Sequence, residues 1–170
     1  MIDVKPAGIK DAALISAIGA KSFIEAFGGQ NKKEDIELYI AEKFNLEHIK
    51  EEVSDPTASF FLAYYEGKPA GYAKLIHSPL PEKIKDSNAI EMQRIYALKE
   101  YYSMKVGKEL MMHTLDFAFS KGFDAMWLGV WQLNDRAIEF YKQWGFEVFD
   151  TRNFRLGNDI KDDFLMIKKF

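Results

Sequence analysis

Two polar side chains in the last third of the chain have the spacing of a catalytic helix face. Asn134 and Tyr141 are seven residues apart in the segment NDRAIEFYKQWGF. Seven residues make two helical turns, so both side chains lie on nearly one face, about 10 Å apart along the axis. A positioned phenol can donate a proton to a departing anion. The alternatives are a helix N-cap for Asn134 and a core aromatic for Tyr141.

Two acidic residues are candidates for acid–base chemistry or for binding a cation. Glu91 lies in the segment AIEMQRIYAL. Strand alternation places it on one face with Gln93, Ile95 and Ala97. Glu91 is a candidate proton acceptor; a salt bridge at the edge of the core is the alternative. Asp163, in the segment LGNDIKDDFLM, is a candidate for binding a cationic substrate.

The first half of the chain supplies helices and a hairpin. Alternation of apolar residues predicts a strand over residues 2–6, and apolar steps of three and four predict helices from Asp11, from near Asn31 and over 46–53. The pair Gly28-Gly29 ends the first helix. The pattern predicts two strands, 58–65 and 70–76, joined by a turn at Glu66-Gly67. It also predicts a loop over residues 77–88.

The second half places the candidate residues on a strand–turn–helix–strand unit. Its apolar pattern predicts a strand over 90–98, a helix after Lys105 and a strand over 125–131. The helix of Asn134 and a closing hairpin of residues 147–156 and 164–169 follow. The strand–helix–strand unit should be parallel with a right-handed crossover. The predicted fold class is α/β (α+β), with a mixed central sheet of about seven strands flanked by helices.

The order of these elements resembles the acetyl-CoA-binding core of the GNAT N-acetyltransferase superfamily. The segments SFIEAFGGQN, FFLAYYEGKPAGYAKL, EMQRIYAL and FRLGNDIKDDFLM are similar to bacterial PaiA-type polyamine (spermidine/spermine) acetyltransferases. The resemblance implies one domain over residues 1–170. Residues 1–88 would shape the acceptor site, 89–146 would bind acetyl-CoA, and 147–170 would form a closing hairpin.

The resemblance implies a phosphate-binding turn before the second-half helix. In the superfamily this turn usually reads Gln or Arg, two residues, Gly, one residue, then Gly or Ala. Here Tyr102 replaces Gln or Arg, Lys105 replaces the first glycine, and Gly107 retains the second. The implied cofactor-binding residues are Ser103, Met104, Lys105, Val106, Gly107 and Lys108. Backbone N–H groups at a helix N-terminus bind phosphate, but a lysine at position 105 is strained if the turn needs a positive φ.

The remaining roles also come from the resemblance. The backbone of Tyr96, Ala97 and Leu98 would bond the pantetheine amides and the thioester carbonyl, followed by Lys99 where proline is common. Asn134 would lie beside the pantetheine arm and Tyr141 beside the thioester sulfur. Phe27 lies in the turn where the family shapes its acceptor site.

The composition and charge of the chain exclude or disfavour several classes of function. The net charge of −3 argues mildly against nucleic acid as a partner, and the absence of cysteine excludes a cysteine nucleophile or thiolate metal site. The three histidines have no metal-ligand partner at helical or hairpin spacing, so we expect no metal. No apolar run approaches the ~20 residues that span a bilayer, and no signal peptide begins the chain, so we expect no membrane partner and a cytoplasmic location.

The sequence therefore predicts an acetyl-CoA-dependent N-acetyltransferase. The acceptor would be a primary amine, with a polyamine as the finer prediction, and transfer would occur directly in a ternary complex. The altered turn at Tyr102 and Lys105 keeps an alternative open, in which a degenerate GNAT domain binds coenzyme A as a regulatory module without catalysis. A homodimer is one oligomeric state compatible with the sequence.

Overall fold

One mixed β-sheet runs through the protein, and a computed structural model describes all 170 residues of it. The strands are β1 Ile2–Ala7, β2 Ala58–Tyr65, β3 Lys68–Ile76, β4 Ala89–Ala97, β5 Ala125–Trp131, β6 Glu147–Leu156 and β7 Asp159–Lys169. Their order across the sheet is β1-β2-β3-β4-β5-β7-β6. Only β4 and β5 pair in parallel, and every other neighbouring pair is antiparallel. The predicted fold class is confirmed.

Five α-helices cover the two faces of this sheet. They are α1 Ala12–Phe27, α2 Lys33–Lys43, α3 Leu46–Ser54, α4 Val106–Ser120 and α5 Asp135–Gln143. Short 3₁₀ helices occupy Ile9–Asp11, Glu82–Ile84 and Lys99–Met104. The buried stripe predicted on the helix after Lys105 is confirmed in α4 and consists of Val106, Leu110, Met111, Thr114 and Ala118. That stripe follows the helical period of 3.6, which explains why the sequence showed it clearly.

Each face of the sheet has its own hydrophobic core. On one face, residues of β2–β5 pack against α4 and against Ile138 of α5. On the other, Phe60, Leu62 and Tyr72 pack against α1, α2 and α3. The first core supports the cofactor side of the predicted site and the second supports its acceptor side.

The closing hairpin begins its second strand earlier than predicted. β7 starts at Asp159, directly after the Gly157-Asn158 turn, whereas the apolar pattern predicted a start at residue 164. Asp159 pairs with Leu156 and Ile160 with Arg155, so the ladder continues to the turn. The prediction was wrong because backbone pairing extends the strand through residues 159–163, where four of the five side chains are polar and give no strand-like apolar alternation.

A β-bulge at Gln93 divides β4 into two parts. Lys74 of β3 pairs with Arg94, and the next residue, Leu75, pairs with Met92, so Gln93 has no partner in the ladder. The bulge shifts the alternation of side chains by one residue. Ile95 and Ala97 therefore pack in the same core as Met92, on the α4 side. The prediction that Glu91 shares a face with Ile95 and Ala97 was wrong, because an alternation read from sequence assumes an unbroken strand.

Candidate active site

A cleft opens where β4 and β5 separate. The two strands pair only from Ala89 to Glu91, opposite Ala125 to Trp127, and diverge beyond the bulge. The resulting cleft has a volume of about 1260 Å³. Ten predicted site residues line it: Phe27, Glu91, Tyr96, Ala97, Lys105, Gly107, Lys108, Asn134, Tyr141 and Asp163. Leu98, Ser103, Met104 and Val106 do not line it, and of these Leu98 and Val106 are buried in the cores.

The backbone of β4 directs two N–H groups toward the gap. The Leu98 N–H donates to the Ala70 carbonyl oxygen at 2.9 Å, so it is occupied within the sheet. In an antiparallel ladder, successive residues point their N–H groups alternately to opposite sides. The N–H groups of Ala97 and Ile95 therefore face away from β3, toward the space that β5 has left. Sequence reasoning missed Ile95, because its backbone direction follows from the strand pairing.

The turn before α4 has the backbone of a phosphate site. Lys105 adopts the left-handed conformation, with φ 65° and ψ 22°, so position 105 does require the positive φ that favours glycine. No side chain caps the N-terminus of α4. The first N–H groups of the helix, from Val106 to Lys108, consequently have no partner within the helix and are available to an anion. The exposed Lys105 and Lys108 side chains add two cations.

The helix α5 carries both residues of the predicted helix face. Asn134 is its N-cap, and its Oδ1 accepts a hydrogen bond from the Ala137 N–H at 3.3 Å. The capping interpretation of Asn134 is therefore confirmed for its oxygen, while its amide NH₂ remains available to the cleft. Tyr141 packs edge-on against Phe140 and Phe146, and burial, with a smaller effect of Tyr96, raises the pKa of its phenol well above 10. The group is a neutral phenol throughout the physiological pH range.

Glu91 is a buried carboxylate without an ion pair. Its side chain accepts a hydrogen bond from the Ser78 Oγ at 2.9 Å, and no cationic group lies within salt-bridge distance. Burial raises the pKa of Glu91, and the Ser78 hydrogen bond together with the charges of Arg152 and Lys74 opposes that rise. The alternative interpretation as a salt bridge was wrong. A carboxyl with a raised pKa is a better proton acceptor than an ordinary one.

Asp163 forms a second acidic position on β7. It is 5% exposed, lies opposite Trp131 of β5, and approaches the Arg152 Nε at 3.8 Å. Burial raises the pKa of Asp163 to about 6, although the charge of Arg152 lowers it. Trp131 in turn contacts Phe27, with 6.0 Å between ring centroids. Aromatic rings and a carboxyl group thus line one end of the cleft, a combination that suits an alkyl ammonium group.

A buried ionic cluster that sequence reasoning missed holds the β4 bulge in place. The Glu52 carboxylate of α3 accepts hydrogen bonds from Arg94 at 2.7 and 3.0 Å and from Lys74 Nζ at 2.8 Å. Arg94 directly follows the bulge and Lys74 is its partner on β3. The sequence carries one signal for this cluster: Lys74 and Arg94 each lie within a largely apolar stretch of a strand, and buried cations are almost always paired.

Comparison with known proteins identifies the family. A sequence model of the acetyltransferase (GNAT) family matches residues 22–146 of the chain. The chain belongs to the GNAT acetyltransferase family. This acetyltransferase is 32% identical over 163 residues to an uncharacterized N-acetyltransferase of Lactobacillus delbrueckii subsp. lactis, covering 94% of this chain and 92% of that protein.

The acetyltransferase is also similar in sequence and in structure to proteins of Thermoplasma acidophilum. The spermidine N(1)-acetyltransferase of that organism is 27% identical over 173 residues, covering 99% of this chain and 98% of the relative. The crystal structure of its PaiA N-acetyltransferase in complex with coenzyme A superimposes with a TM-score of 0.82 at 25% identity, covering 100% of this chain and 99% of that one. The predicted resemblance to GNAT and PaiA-type proteins is confirmed, and the protein is an acyltransferase.

The cleft of the acetyltransferase fits a coenzyme A thioester. The left-handed turn at Lys105 and the uncapped α4 suit the phosphates, and the free edge of β4 suits the amides of a pantetheine arm. No group of three or more His, Asp or Glu side chains is placed to hold a metal ion. None of the helices is long and apolar enough to cross a membrane.

Proposed function

We propose that the protein transfers an acetyl group from acetyl-CoA to a primary amine, with a polyamine as the acceptor. The observation that carries this proposal is the lining of a single cleft. The phosphate-binding turn, the Tyr141 phenol and the carboxyl groups of Glu91 and Asp163 all line the same space. Both substrates can therefore be bound together, and this orientation lowers the barrier for direct transfer.

In the proposed mechanism each residue acts on a separate part of the reaction. Bound acetyl-CoA supplies an activated acetyl thioester. Glu91 accepts a proton from the acceptor ammonium, directly or through water, and frees the nitrogen lone pair that forms the new C–N bond. The N–H groups of Ile95 and Ala97 donate hydrogen bonds to the carbonyl oxygen as it gains negative charge. Tyr141 protonates the sulfur as the C–S bond breaks, and the second proton that the nitrogen loses on becoming an amide returns to the phenol through water.

Support for a polyamine acceptor comes from two carboxyl groups that line the cleft and from one relative. Asp163 and Glu91 can balance the charges of an acceptor with more than one ammonium group. The rings of Phe27 and Trp131 can contact its methylene chain. The spermidine acetyltransferase of Thermoplasma acidophilum aligns over nearly the full chain. We therefore propose that Phe27 and Asp163 bind the acceptor, while Asn134 and the turn at Lys105 bind coenzyme A.

Calorimetry and an amine panel test this function. Acetyl-CoA should bind with measurable heat, and thiol release should follow when spermidine, spermine or a simple alkyl amine is added. Release with any primary amine supports the transferase, and a higher kcat/KM for the two polyamines than for the monoamine supports the finer proposal. Binding without release from any amine would support the regulatory module instead. Absence of binding would refute the role of the turn.

Replacement of Tyr141 by Phe tests the proton donor. We expect Tyr141→Phe to lower kcat by about 10²-fold, which is typical of losing a general acid, with little change in the Kd of acetyl-CoA. Stopped-assay kinetics and calorimetry measure the two quantities. Tyr101→Phe is the matched control, because Tyr101 is a half-buried tyrosine that does not line the cleft. Turnover close to wild type in Tyr141→Phe would remove the phenol from the mechanism.

A further inference from the structure

Arg136 lies over the ring of Tyr102 in the lining of the cleft. The guanidinium carbon is 3.5 Å from the ring centroid. Both residues line the cleft beside Lys105 and Lys108. Arg136 is exposed and forms no salt bridge. Stacking uses the face of the guanidinium, so its N–H donors, which lie in the plane, remain free at the edge.

The position of Arg136 is unfavourable for the helix that carries it. Arg136 is the second residue of α5, Asp135–Gln143. A cation in the first helical turn opposes the macrodipole, whose positive end lies there. The residue therefore does not stabilise α5 through its charge. A cation that is held in one orientation at a site unfavourable to its own helix points to an anionic ligand.

The stack also places a cation beside the turn before α4, where Tyr102 supplies none. Tyr102 occupies the place where related turns carry Gln or Arg, and its phenol supplies no cation. Arg136 of α5 supplies a cation there, because its guanidinium lies on the Tyr102 ring. The planar guanidinium can form two parallel hydrogen bonds to a phosphate, which a flexible lysine ammonium does not.

We propose that Arg136, held in place by Tyr102, binds a phosphate of the coenzyme A nucleotide. The inference rests on the proposed function in that the cleft must bind coenzyme A. Arg136 contacts the ligand and Tyr102 is a positioning residue. The phosphate concerned is either the pyrophosphate or the 3′-phosphate, which have the same chemistry, and the test below separates them.

Calorimetric titration with coenzyme A and with 3′-dephospho-coenzyme A tests the proposal. We expect Arg136→Gln to weaken coenzyme A binding about tenfold, the lower range for a charge-assisted contact. Weaker binding of both ligands would show that Arg136 contacts the pyrophosphate. Weaker binding of coenzyme A alone would show that it contacts the 3′-phosphate. Lys142→Gln is the matched control, because it removes the same charge from the same helix outside the cleft.

Variants of Tyr102 test the stack separately. Tyr102→Phe keeps the ring and should leave the affinity within about twofold, whereas Tyr102→Leu should approach the loss seen in Arg136→Gln, since a flat ring orients the guanidinium. Circular dichroism and melting temperature should be unchanged for all these exposed or half-buried positions. Unchanged affinity of Arg136→Gln for both ligands would overturn the inference while leaving the proposed function intact. Failure of the wild-type protein to bind either ligand would overturn both.

Discussion

Lys105 has the positive φ that its place in the motif indicated, although it is not a glycine. The motif departs from glycine at this position, and the structure nevertheless keeps the positive φ that glycine would supply. A side chain with a Cβ in this conformation costs roughly 1–2 kcal/mol. The turn is therefore strained in the protein, and the lysine contributes a cation beside the α4 N-terminus.

Lys105→Gly should separate strain from charge. We expect the free energy of unfolding to rise by about 1 kcal/mol because the strain is relieved. The affinity for acetyl-CoA should fall a few-fold because one cation is lost. Urea unfolding and calorimetry measure these effects. Lys108→Gln removes a neighbouring charge without any change of φ, so it should lower the affinity and leave stability unchanged; equal stability of all three proteins would show that the turn is not strained.

The raised pKa of Asp163 makes the stability of the protein depend on pH. In the unfolded chain this carboxyl titrates near 3.8, and burial raises its pKa to about 6 in the folded protein. The folded state then holds the proton more tightly, so its stability falls as the pH rises from about 4 to above 6. Linkage sets the upper limit of this loss at about 3 kcal/mol.

Asp163→Asn should remove this pH dependence. The amide carries no charge at any pH, so the variant should gain stability relative to wild type between pH 4 and pH 7. Urea unfolding at the two pH values measures the gain. Asp86→Asn is the control, since Asp86 is exposed and lies outside the cleft. A difference between Asp163→Asn and wild type that does not change with pH would contradict the assignment.

At the level of elements, the bulge in β4 determines the shape of the site. It reverses the alternation after Met92, separates β4 from β5 and leaves the N–H groups of Ile95 and Ala97 facing the gap. Glu52 fixes this region from α3 by joining Arg94 and Lys74. Helix α3 is thus coupled to the strand that presents the backbone donors.

Glu52→Gln should destabilise the protein by about 3 kcal/mol, because it leaves two buried cations without their shared carboxylate. Burial opposes the charge on Glu52, but the hydrogen bonds and charges of Arg94 and Lys74 outweigh it and lower its pKa. Chemical denaturation measures the loss. Glu51→Gln, one residue earlier and exposed, should behave as wild type. Similar stabilities for the two variants would mean that the cluster contributes little.

The helices and most strands could be predicted from sequence because their apolar residues recur with the period of one element. The bulge could not, since it is defined by the pairing of two strands whose register the sequence does not display. The start of β7 was missed for a related reason: Asp159 and Ile160 join the strand through backbone pairing with Leu156 and Arg155, which no apolar pattern in the sequence displays. The residue types of the site were therefore predictable, but the direction of their backbone donors was not.

For the whole molecule, the cleft is lined by residues that pack in the two cores on opposite faces of the sheet. A ligand bound there contacts elements supported by both cores and binds only the folded protein. At a concentration of one hundred times its Kd, acetyl-CoA should add about 2.7 kcal/mol to the free energy of unfolding. For a chain of this size that corresponds to a melting temperature roughly 5–10 °C higher.

Differential scanning fluorimetry over a range of acetyl-CoA concentrations measures this increase. Pantetheine, which lacks the nucleotide and its phosphates, should raise the melting temperature much less at the same concentration. An equal effect of the two ligands would indicate that the turn before α4 makes no contribution. The order of elements along the chain predicted the family. That residues of both cores line one cleft could be seen only from the arrangement of the strands in the structure.

The position of β7 has a consequence for synthesis. β7 follows every other strand in the chain, yet it lies between β5 and β6, and β6 pairs with no other strand. A ribosome therefore delivers β6 before its partner exists. Until β7 emerges, β5 exposes an open, apolar edge of the kind that nascent chains use to aggregate. The end of the cleft where Asp163 lies beside Trp131 is completed last, so we expect a chain stalled before β7 to be inactive.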